Sequence, residues 1–371
     1  MLTNISQKVF VGIFVSAVLL TIFILTVDFK SMLASLASAN YLLLMPAIGL
    51  YLVSVGFRTI RWSWLLKHIR HVKFTRLYPV VVVGYMANNL LPMRLGELVR
   101  AHYVGEREGI SKISALVTIF IERLLDAITL MLFIAVVAIF VPVSRLAEDF
   151  GVRWGMVWPI LAICLSLLFV TAFLLLLLIA VAPRQTKAIG ESLIKIGPRR
   201  FQKQLGDVLD DILHSLASIR SVNSVIGLFL LTIPIWLFEA GLFFVIGISF
   251  GLDDVYNSFI TMALTMMLVT ATANIGSSIP SAPGGVGLFE LIARETLVLM
   301  PLVTVDRAIA AGYVALVHAA LLLPMVLLGQ LFLWSEHISL RRLAAIGTTP
   351  KHDQEKHEIP NVTSYNKDSQ Q

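Results

Sequence analysis

Long apolar runs separated by short polar segments dominate the chain of 371 residues. Six runs have about the 20 residues that an α-helix needs to cross a lipid bilayer. They are Val9–Val27, Tyr41–Phe57, Ile113–Val141, Met156–Ala182, Val225–Phe250 and Ala308–Trp334. The run from Tyr41 is short by itself, and we expect its helix to continue through RTIRWSWLL with the arginines at the membrane interface. The pattern predicts an all-α integral membrane protein with about six transmembrane helices.

Two other apolar segments are broken by turn-forming residues. Leu77–Pro92 runs into NNLLPMRLGE, and Phe259–Leu302 contains NIGSSIPSAPGGVGLFE. In both, an asparagine is followed by proline, glycine and glutamate in that order. Irregular backbone at membrane depth needs protein or a water-filled cavity to satisfy its polar groups. The two segments therefore predict broken helices beside a polar cavity.

The basic residues predict the orientation of the chain. Lys and Arg number six in residues 58–76, four in 94–112, seven in 184–220 and five from residue 341 onward. Basic residues concentrate on the cytoplasmic side of membrane proteins. We therefore expect these segments and both termini to lie in the cytoplasm, and the protein to lie in the plasma membrane. The first broken segment then has cytoplasm on both sides, so we expect it to enter the membrane and turn back.

By the same count, the second broken segment enters and returns from the outer face. This arrangement predicts an inverted-topology repeat with two re-entrant broken-helix hairpins, a pattern that marks the substrate site of many transporters. The alternative is that proline and glycine merely kink ordinary spans, but that reading leaves the charge distribution unexplained. We assign residues 1–346 to one transmembrane domain, 183–224 to a cytoplasmic connection within it, and 347–371 to a disordered tail.

Composition agrees with a membrane protein and narrows its partners. Mean hydropathy is +0.85 and 14% of residues are charged, against about 25% in soluble domains. The net charge of +6 suits anionic lipid headgroups. No nucleic-acid recognition module is evident, and the single cysteine, Cys164, excludes an intrachain disulfide. We expect no metal and no cofactor.

The candidate substrate-binding residues come from both broken segments and from two spans. They are Asn89, Arg94, Glu97 and Arg100 in the first segment, and Pro283, Gly284, Gly285, Gly287 and Glu290 in the second. Helices that restart after such breaks present free N–H groups that favour an anion. The glycines allow close approach of a ligand or of another backbone.

Charges within the spans complete the set. The sequence IERLLDAIT places Glu122 and Asp126 on one helix face and lets Arg123 pair with Asp126. A structural salt-bridge cluster explains these residues about as well as a binding site does. Glu239 has no local partner and is interpreted as a proton-linked acid or as a hydrogen-bonding group between helices.

Four stretches resemble a known family in order and spacing. They are RTIRWSWLL, NNLLPMRLGELVRAHYV, IERLLDAI and IPSAPGGVGLFE, and they are similar to motifs of the flippase-like transmembrane region of lysylphosphatidylglycerol synthetases. The resemblance covers Lys8 to Leu340. In the synthetases this region is credited with moving a charged phospholipid across the bilayer, and an aminoacyl-transfer domain follows it. Only a polar tail follows Trp334 here, so we expect a stand-alone member without transferase activity.

We therefore expect a lipid flippase or scramblase, not an enzyme. Its substrate would be a phospholipid or a polyprenyl-phosphate-linked lipid with an anionic phosphate headgroup. The headgroup would enter a groove between the broken segments, and its phosphate would meet Arg94, Arg100 and the helix N-termini. Glu97, Glu239 and Glu290 would tune the charge or exchange protons. Further partners would be a second copy of the chain or a separate lipid-modifying enzyme.

Two alternatives stay open at this point. The first is a membrane-embedded enzyme acting on lipid-linked substrates, with Glu97, Glu122 and Asp126 as acid and base groups. The second is a non-catalytic membrane scaffold. An enzyme yields a chemically changed lipid, whereas a flippase changes only the leaflet that holds it.

Overall fold

The computed structural model describes residues 21, 28–91, 95–141, 157–196, 198–278, 283–300 and 303–335. Regular structure in these residues is helical, without strands, which confirms the predicted all-α class. The α-helices, numbered in chain order, are α1 Phe29–Ser38, α2 Leu44–Leu66, α3 Phe74–Leu90, α4 Gly96–Glu108, α5 Lys112–Phe140, α6 Val157–Val181, α7 Pro183–Ile196, α8 Arg199–Ser215, α9 Val222–Ser249, α10 Leu252–Tyr256, α11 Phe259–Ser277, α12 Leu288–Val298 and α13 Arg307–Ser335. Short 3-10 segments occupy Tyr41–Leu43, Leu216–Ile219 and Pro283–Gly285.

Five helical stretches of the described residues are long and apolar enough to cross a membrane. They are Tyr41–Leu66, α5, α9, α11 and α13. All but α11 match predicted spans, and Tyr41–Leu66 confirms that the short second run continues through RTIRWSWLL. Helix α6 matches a further predicted span, and the chain bends by 100° between its C-terminal part and α7. The predicted span Val9–Val27 and the tail 347–371 fall outside the described residues, residue 21 excepted.

The connection after α6 forms two helices that pack on each other. Lys187 of α7 pairs with Asp210 of α8 at 2.8 Å, and this hydrogen bond raises the pKa of the Lys187 ammonium. Exposed apolar side chains on the same helices include Ile189, Leu193 and Leu205. Such amphipathic helices suit the plane of a membrane surface.

Both broken segments fold back on themselves as predicted. Leu91 precedes Pro92 and has extended backbone (φ −105°, ψ 143°), because proline disfavours helical geometry in the residue before it. Helix α4 then returns along α3 and packs against it. We call α3, α4 and the residues between them the first hairpin.

The second hairpin consists of α11, α12 and the residues between them. Its turn uses left-handed backbone at Gly284, Gly285 and Gly287, with φ of 67°, 74° and 90°, which glycine adopts without steric cost. The two arms then run side by side, and the hydroxyls of Thr272 and Thr296 lie 3.0 Å apart.

The helix contacts repeat in the two halves of the molecule. Helices α2, α3, α4 and α5 correspond to α9, α11, α12 and α13. The pairs α2–α3, α3–α4, α4–α5 and α2–α5 pack in one half, and α9–α11, α11–α12, α12–α13 and α9–α13 pack in the other. The contact of α3 with α13 has its counterpart in α5 with α11. This correspondence is the internal repeat predicted from the sequence.

The two halves run in opposite directions. Helices α2 and α9 form the largest helix contact of the described structure. Gly241 of α9 lies beside Leu50 of α2, and Gly227 of α9 lies beside Trp64 of α2. Residue numbers therefore decrease along α9 in the direction in which they increase along α2. Matching helices that pack antiparallel confirm the inverted topology. The turn of the second hairpin at Pro283–Gly285 packs against α3 of the first hairpin.

The first hairpin depends on a glycine at its inner face. A Cβ atom added to Gly96 would overlap the backbone carbonyl oxygen of Gly84 and the backbone nitrogen of Asn88. Backbone atoms cannot rotate away, so we expect Gly96→Ala to push the arms apart and to lower stability by about 1–3 kcal/mol. Thermal unfolding of purified protein checks this.

Gly56 of α2 is the matched control for that variant, because nothing lies within 4 Å of the Cβ position. Gly56→Ala should gain up to about 1 kcal/mol from helix propensity. Equal stability of Gly96→Ala and the unsubstituted protein would mean that the arms are not packed so closely.

The orientation in the membrane is testable by cysteine labelling. In a Cys164→Ser background, a cysteine at Asp254 should react with an impermeant reagent on intact cells. Cysteines at Lys73, Glu106 and Lys203 should react only after permeabilisation, because these exposed residues lie in the basic segments. Labelling of Glu106→Cys from outside would contradict the re-entrant path of the first hairpin.

Candidate functional site

A polar cavity of about 390 Å³ lies between the two hairpins. The first hairpin contributes Asn88, Asn89 and Glu97 to its wall, and the second contributes residues on both sides of its turn. Helices α2, α5, α6, α9 and α13 supply the rest. The cavity therefore lies where the inverted halves meet, which is where transporters of this topology bind their substrates.

Ion pairs between helices line one side of the cavity. Arg61 donates to both carboxylate oxygens of Asp126, at 2.6 and 3.3 Å, and to the hydroxyl of Thr232 at 3.0 Å. Arg58 donates to Glu239 at 2.6 Å and to the Tyr85 hydroxyl at 3.2 Å. Because α2, α5 and α9 each supply one end of these pairs, the charges hold the core of the bundle together.

These contacts correct the interfacial placement of the arginines of RTIRWSWLL. Arg58 is 5% exposed and Arg61 is fully buried. A lone charge in a membrane interior costs several kcal/mol, and arginine is stable there only with carboxylates in reach. The acidic residues of α5 and α9 provide those carboxylates, so the two arginines pack inside the bundle and not at its edge.

Glu239 makes hydrogen bonds between helices, which was one of the two roles predicted for it from the sequence. Its second carboxylate oxygen accepts from the Asn274 side chain of the second hairpin at 2.9 Å. The first oxygen accepts from Arg58. Glu239 thus links α2, α9 and α11 at the cavity wall.

Arg100 and Glu122 lie behind the cavity wall. Arg100 is 2.8 Å from Glu122, and its guanidinium lies 3.6 Å from the centre of the Trp62 ring. Both side chains are buried and neither lines the cavity. The structure therefore does not bring Arg100 to the cavity, and Arg94 falls outside the described residues.

Arg123 is the most accessible arginine of the cavity. Its side chain is 23% exposed, against 6% for Arg58. Its carboxylate neighbours are distant: Glu97 at 3.8 Å and Asp126 at 3.5 Å, the latter at the predicted i, i+3 spacing. A guanidinium with long contacts on all sides can turn toward an incoming anion at little cost.

The second hairpin presents its turn to the cavity, and Glu290, which does not line the cavity, contacts His318, which does. Gly284 and Gly285 line it, while Pro283 begins the turn and Gly287 precedes α12. Glu290 accepts the N–H of Gly287 at 2.7 Å and lies 2.5 Å from His318 of α13.

The family model of the lysylphosphatidylglycerol synthase TM region matches residues 9–329, which include both hairpins and the cavity. The chain belongs to that family. Its match covers the four sequence motifs described above and confirms the resemblance.

Two curated relatives are similar to this member of the synthase TM-region family. Glycosyltransferase AglD of Haloferax volcanii is 23% identical over 316 residues, which are 81% of this chain and 50% of the relative. A UPF0104 membrane protein of Methanothermobacter thermautotrophicus is 27% identical over 267 residues, 69% of this chain and 75% of the relative. The chain spans half the length of the Haloferax protein. No solved structure matches it.

The structure adds residues to the candidate site of this family member. Several residues that line the cavity were not proposed from the sequence, among them Arg58, Tyr85, Trp236, Asn274 and His318. Of the proposed residues, Asn89, Glu97, Arg123, Asp126, Glu239, Gly284 and Gly285 line it too. Charge balance was the usable signal: buried acids on α5 and α9 require cations, and Arg58 and Arg61 lie one helical turn apart on a neighbouring span.

Proposed function

We propose that the protein is a lipid flippase or scramblase whose headgroup path is the cavity between the two hairpins. The observation that carries the proposal is this polar cavity, built from both inverted halves and containing the accessible cation Arg123. A phospholipid or polyprenyl-phosphate-linked lipid would place its phosphate there. The membrane would be the cell membrane, with both termini in the cytoplasm.

The wall of the cavity combines polar and apolar groups, which suits an amphipathic lipid. The hairpins and Arg123 contribute polar groups. Apolar side chains also line it, among them Phe120 and Leu130 of α5 and Phe169 of α6. Phe120 is 51% exposed, so the acyl chains would pass it and stay in the bilayer while the headgroup crosses.

The carboxylates of the cavity favour transport over acid–base catalysis. Asp126 is paired with Arg61 and Arg123, and Glu122 is buried behind the wall with Arg100. A general acid or base must reach a proton of the substrate. Two of the three acids of the enzymatic alternative are thus occupied in structural pairs.

One observation favours the enzymatic alternative. The Haloferax relative is named a glycosyltransferase, and the matched residues are half of that protein. Catalysis on a lipid-linked sugar by this chain would require Glu97, which lies at the cavity with 28% of its side chain exposed, to act as the base.

Reconstitution separates the two functions. Purified protein in sealed liposomes with a fluorescent phospholipid should move the probe between leaflets, measured by dithionite quenching, and mass spectrometry should find the lipid chemically unchanged. The same test uses a polyprenyl phosphate as second substrate. A chemically changed lipid would support the enzyme, and intact lipids that never change leaflet would contradict transport.

A further inference from the structure

Glu290 and His318 connect the second hairpin to α13 beside the cavity. His318 Nδ1 lies 2.5 Å from Glu290 Oε1, and His318 Nε2 lies 3.0 Å from the carbonyl oxygen of Gly284. The imidazole ring stacks on Phe289, with 4.3 Å between ring centres. Both ring nitrogens of His318 therefore face oxygen atoms of the second hairpin.

Counting protons shows what these contacts require. A carbonyl oxygen only accepts, so Nε2 of His318 carries a proton. Nδ1 and the carboxylate of Glu290 share a second proton, held as imidazolium or as carboxylic acid. If that proton leaves, a lone pair of the ring faces an oxygen and one hydrogen bond is lost. A net negative charge then remains in a nearly buried site, which is unfavourable.

The internal repeat relates the Glu290–His318 pair to a pair in the other half that contains a permanently charged residue. Helices α5 and α13 correspond, both have 29 residues, and Arg123 and His318 occupy the twelfth position of each. Each faces a glutamate from the returning arm of the preceding hairpin, Glu97 for Arg123 and Glu290 for His318. A fixed cation in one half thus corresponds to a titratable group in the other.

The remaining titratable groups of the cavity pair with one another and not with Glu290 or His318. Those that share the cavity with His318 from other helices are Tyr51 and Arg58 of α2, Tyr85 of α3, Glu97 of α4, Arg123 and Asp126 of α5, and Glu239 of α9. They pair among themselves on the side of α2 and α5. Within the described part of the chain, Glu290 is the only acidic group in ion-pair distance of His318.

We infer that Glu290 and His318 form a proton-binding site that latches the second hairpin to α13, so that lipid movement is coupled to proton binding. The coupling rests on the proposed function; the proton site rests on the contacts alone. With the proton bound, all hydrogen bonds of the pair are made and the turn at Gly284 is fixed. Loss of the proton releases the turn and opens the outer end of the cavity.

The test is the pH dependence of translocation in liposomes. Because loss of the proton opens the cavity, the rate should rise with pH, by up to about tenfold per pH unit, in a limb between pH 5 and 8, as one titrating proton allows. His318→Gln and Glu290→Gln, which keep polar groups but cannot share the proton, should each flatten this profile. His102→Gln, on the first hairpin and outside the cavity, is the control and should keep it. A flat profile for the unsubstituted protein would overturn the coupling.

A second readout keeps the proton site separate from transport. Melting temperature of the purified protein should fall as pH rises from 5 to 8, because the protonated pair is the stabilising form, and His318→Gln should lose this dependence. If no lipid moves at any pH but the melting curves differ as expected, the proposed function fails and the proton site stands. Parallel melting curves for His318→Gln and the unsubstituted protein would overturn the site.

Discussion

Arg61→Ala should lower stability by about 3–5 kcal/mol. The Arg61 side chain is fully buried, and its loss removes the hydrogen bonds of 2.6 and 3.3 Å that it donates to Asp126. Glu122, 3.7 Å from the same guanidinium, loses a second cation. Removing a cation from carboxylates inside a bundle is costly because neither lipid nor apolar side chains solvate them. Fluorescence-detected size exclusion and thermal melting measure the loss.

Arg76 provides the matched control for that substitution. Its side chain is 63% exposed and lies 3.8 Å from the buried carboxylate of Glu108, which Arg107 also approaches to 4.0 Å. Because water solvates the Arg76 guanidinium and Glu108 keeps a second cation nearby, the loss should cost less than about 1 kcal/mol. Arg76→Ala should therefore melt like the unsubstituted protein. If Arg61→Ala melts there too, the buried pair is not what holds α2 to α5.

Arg123→Gln should reduce translocation by about one to two orders of magnitude and leave stability nearly unchanged. The expected loss corresponds to one charge-assisted hydrogen bond to a phosphate, about 1.5–3 kcal/mol. Stability should survive because Arg123 makes no carboxylate contact shorter than 3.5 Å. Initial rates in liposomes and melting of the same preparations measure the two effects.

Arg123→Lys tests whether charge alone suffices. A lysine keeps the cation but cannot bind phosphate through two parallel N–H groups, so an intermediate rate is expected. The exchange Arg123→Glu with Glu97→Arg keeps the pair and moves the cation from α5 to the first hairpin. Full activity of this double variant would assign Arg123 a structural role.

The inverted hairpin architecture was predictable from the sequence because charge and hydropathy act over whole segments. Basic residues on both sides of Leu77–Pro92 required a turn within the membrane, and Pro92 and the glycines at 284, 285 and 287 mark where the helices break. These are local chain properties that do not depend on which helices later become neighbours.

The pairing of charges was not predictable in the same way. Glu239 and Arg58 are 181 residues apart in sequence, and their contact exists only because α2 and α9 pack against each other. The role of His318 was not predictable either, because its oxygen partners on Glu290 and Gly284 lie 28 and 34 residues away in sequence. The direction of Arg100, toward Trp62 and away from the cavity, depends likewise on side-chain packing that periodicity does not encode.

The central claim is that lipid headgroups pass through the cavity between the hairpins, and blocking the cavity tests it most directly. In the Cys164→Ser background, single cysteines at Asn89 and Ser278 place one thiol on each hairpin at the cavity wall. A cysteine at Lys203 on α8 lies away from it and serves as control. Modification by a bulky water-soluble thiol reagent should stop lipid translocation in the two cavity variants and leave the Lys203→Cys protein active. Undiminished translocation by fully modified Asn89→Cys and Ser278→Cys proteins would show that the lipid takes another path.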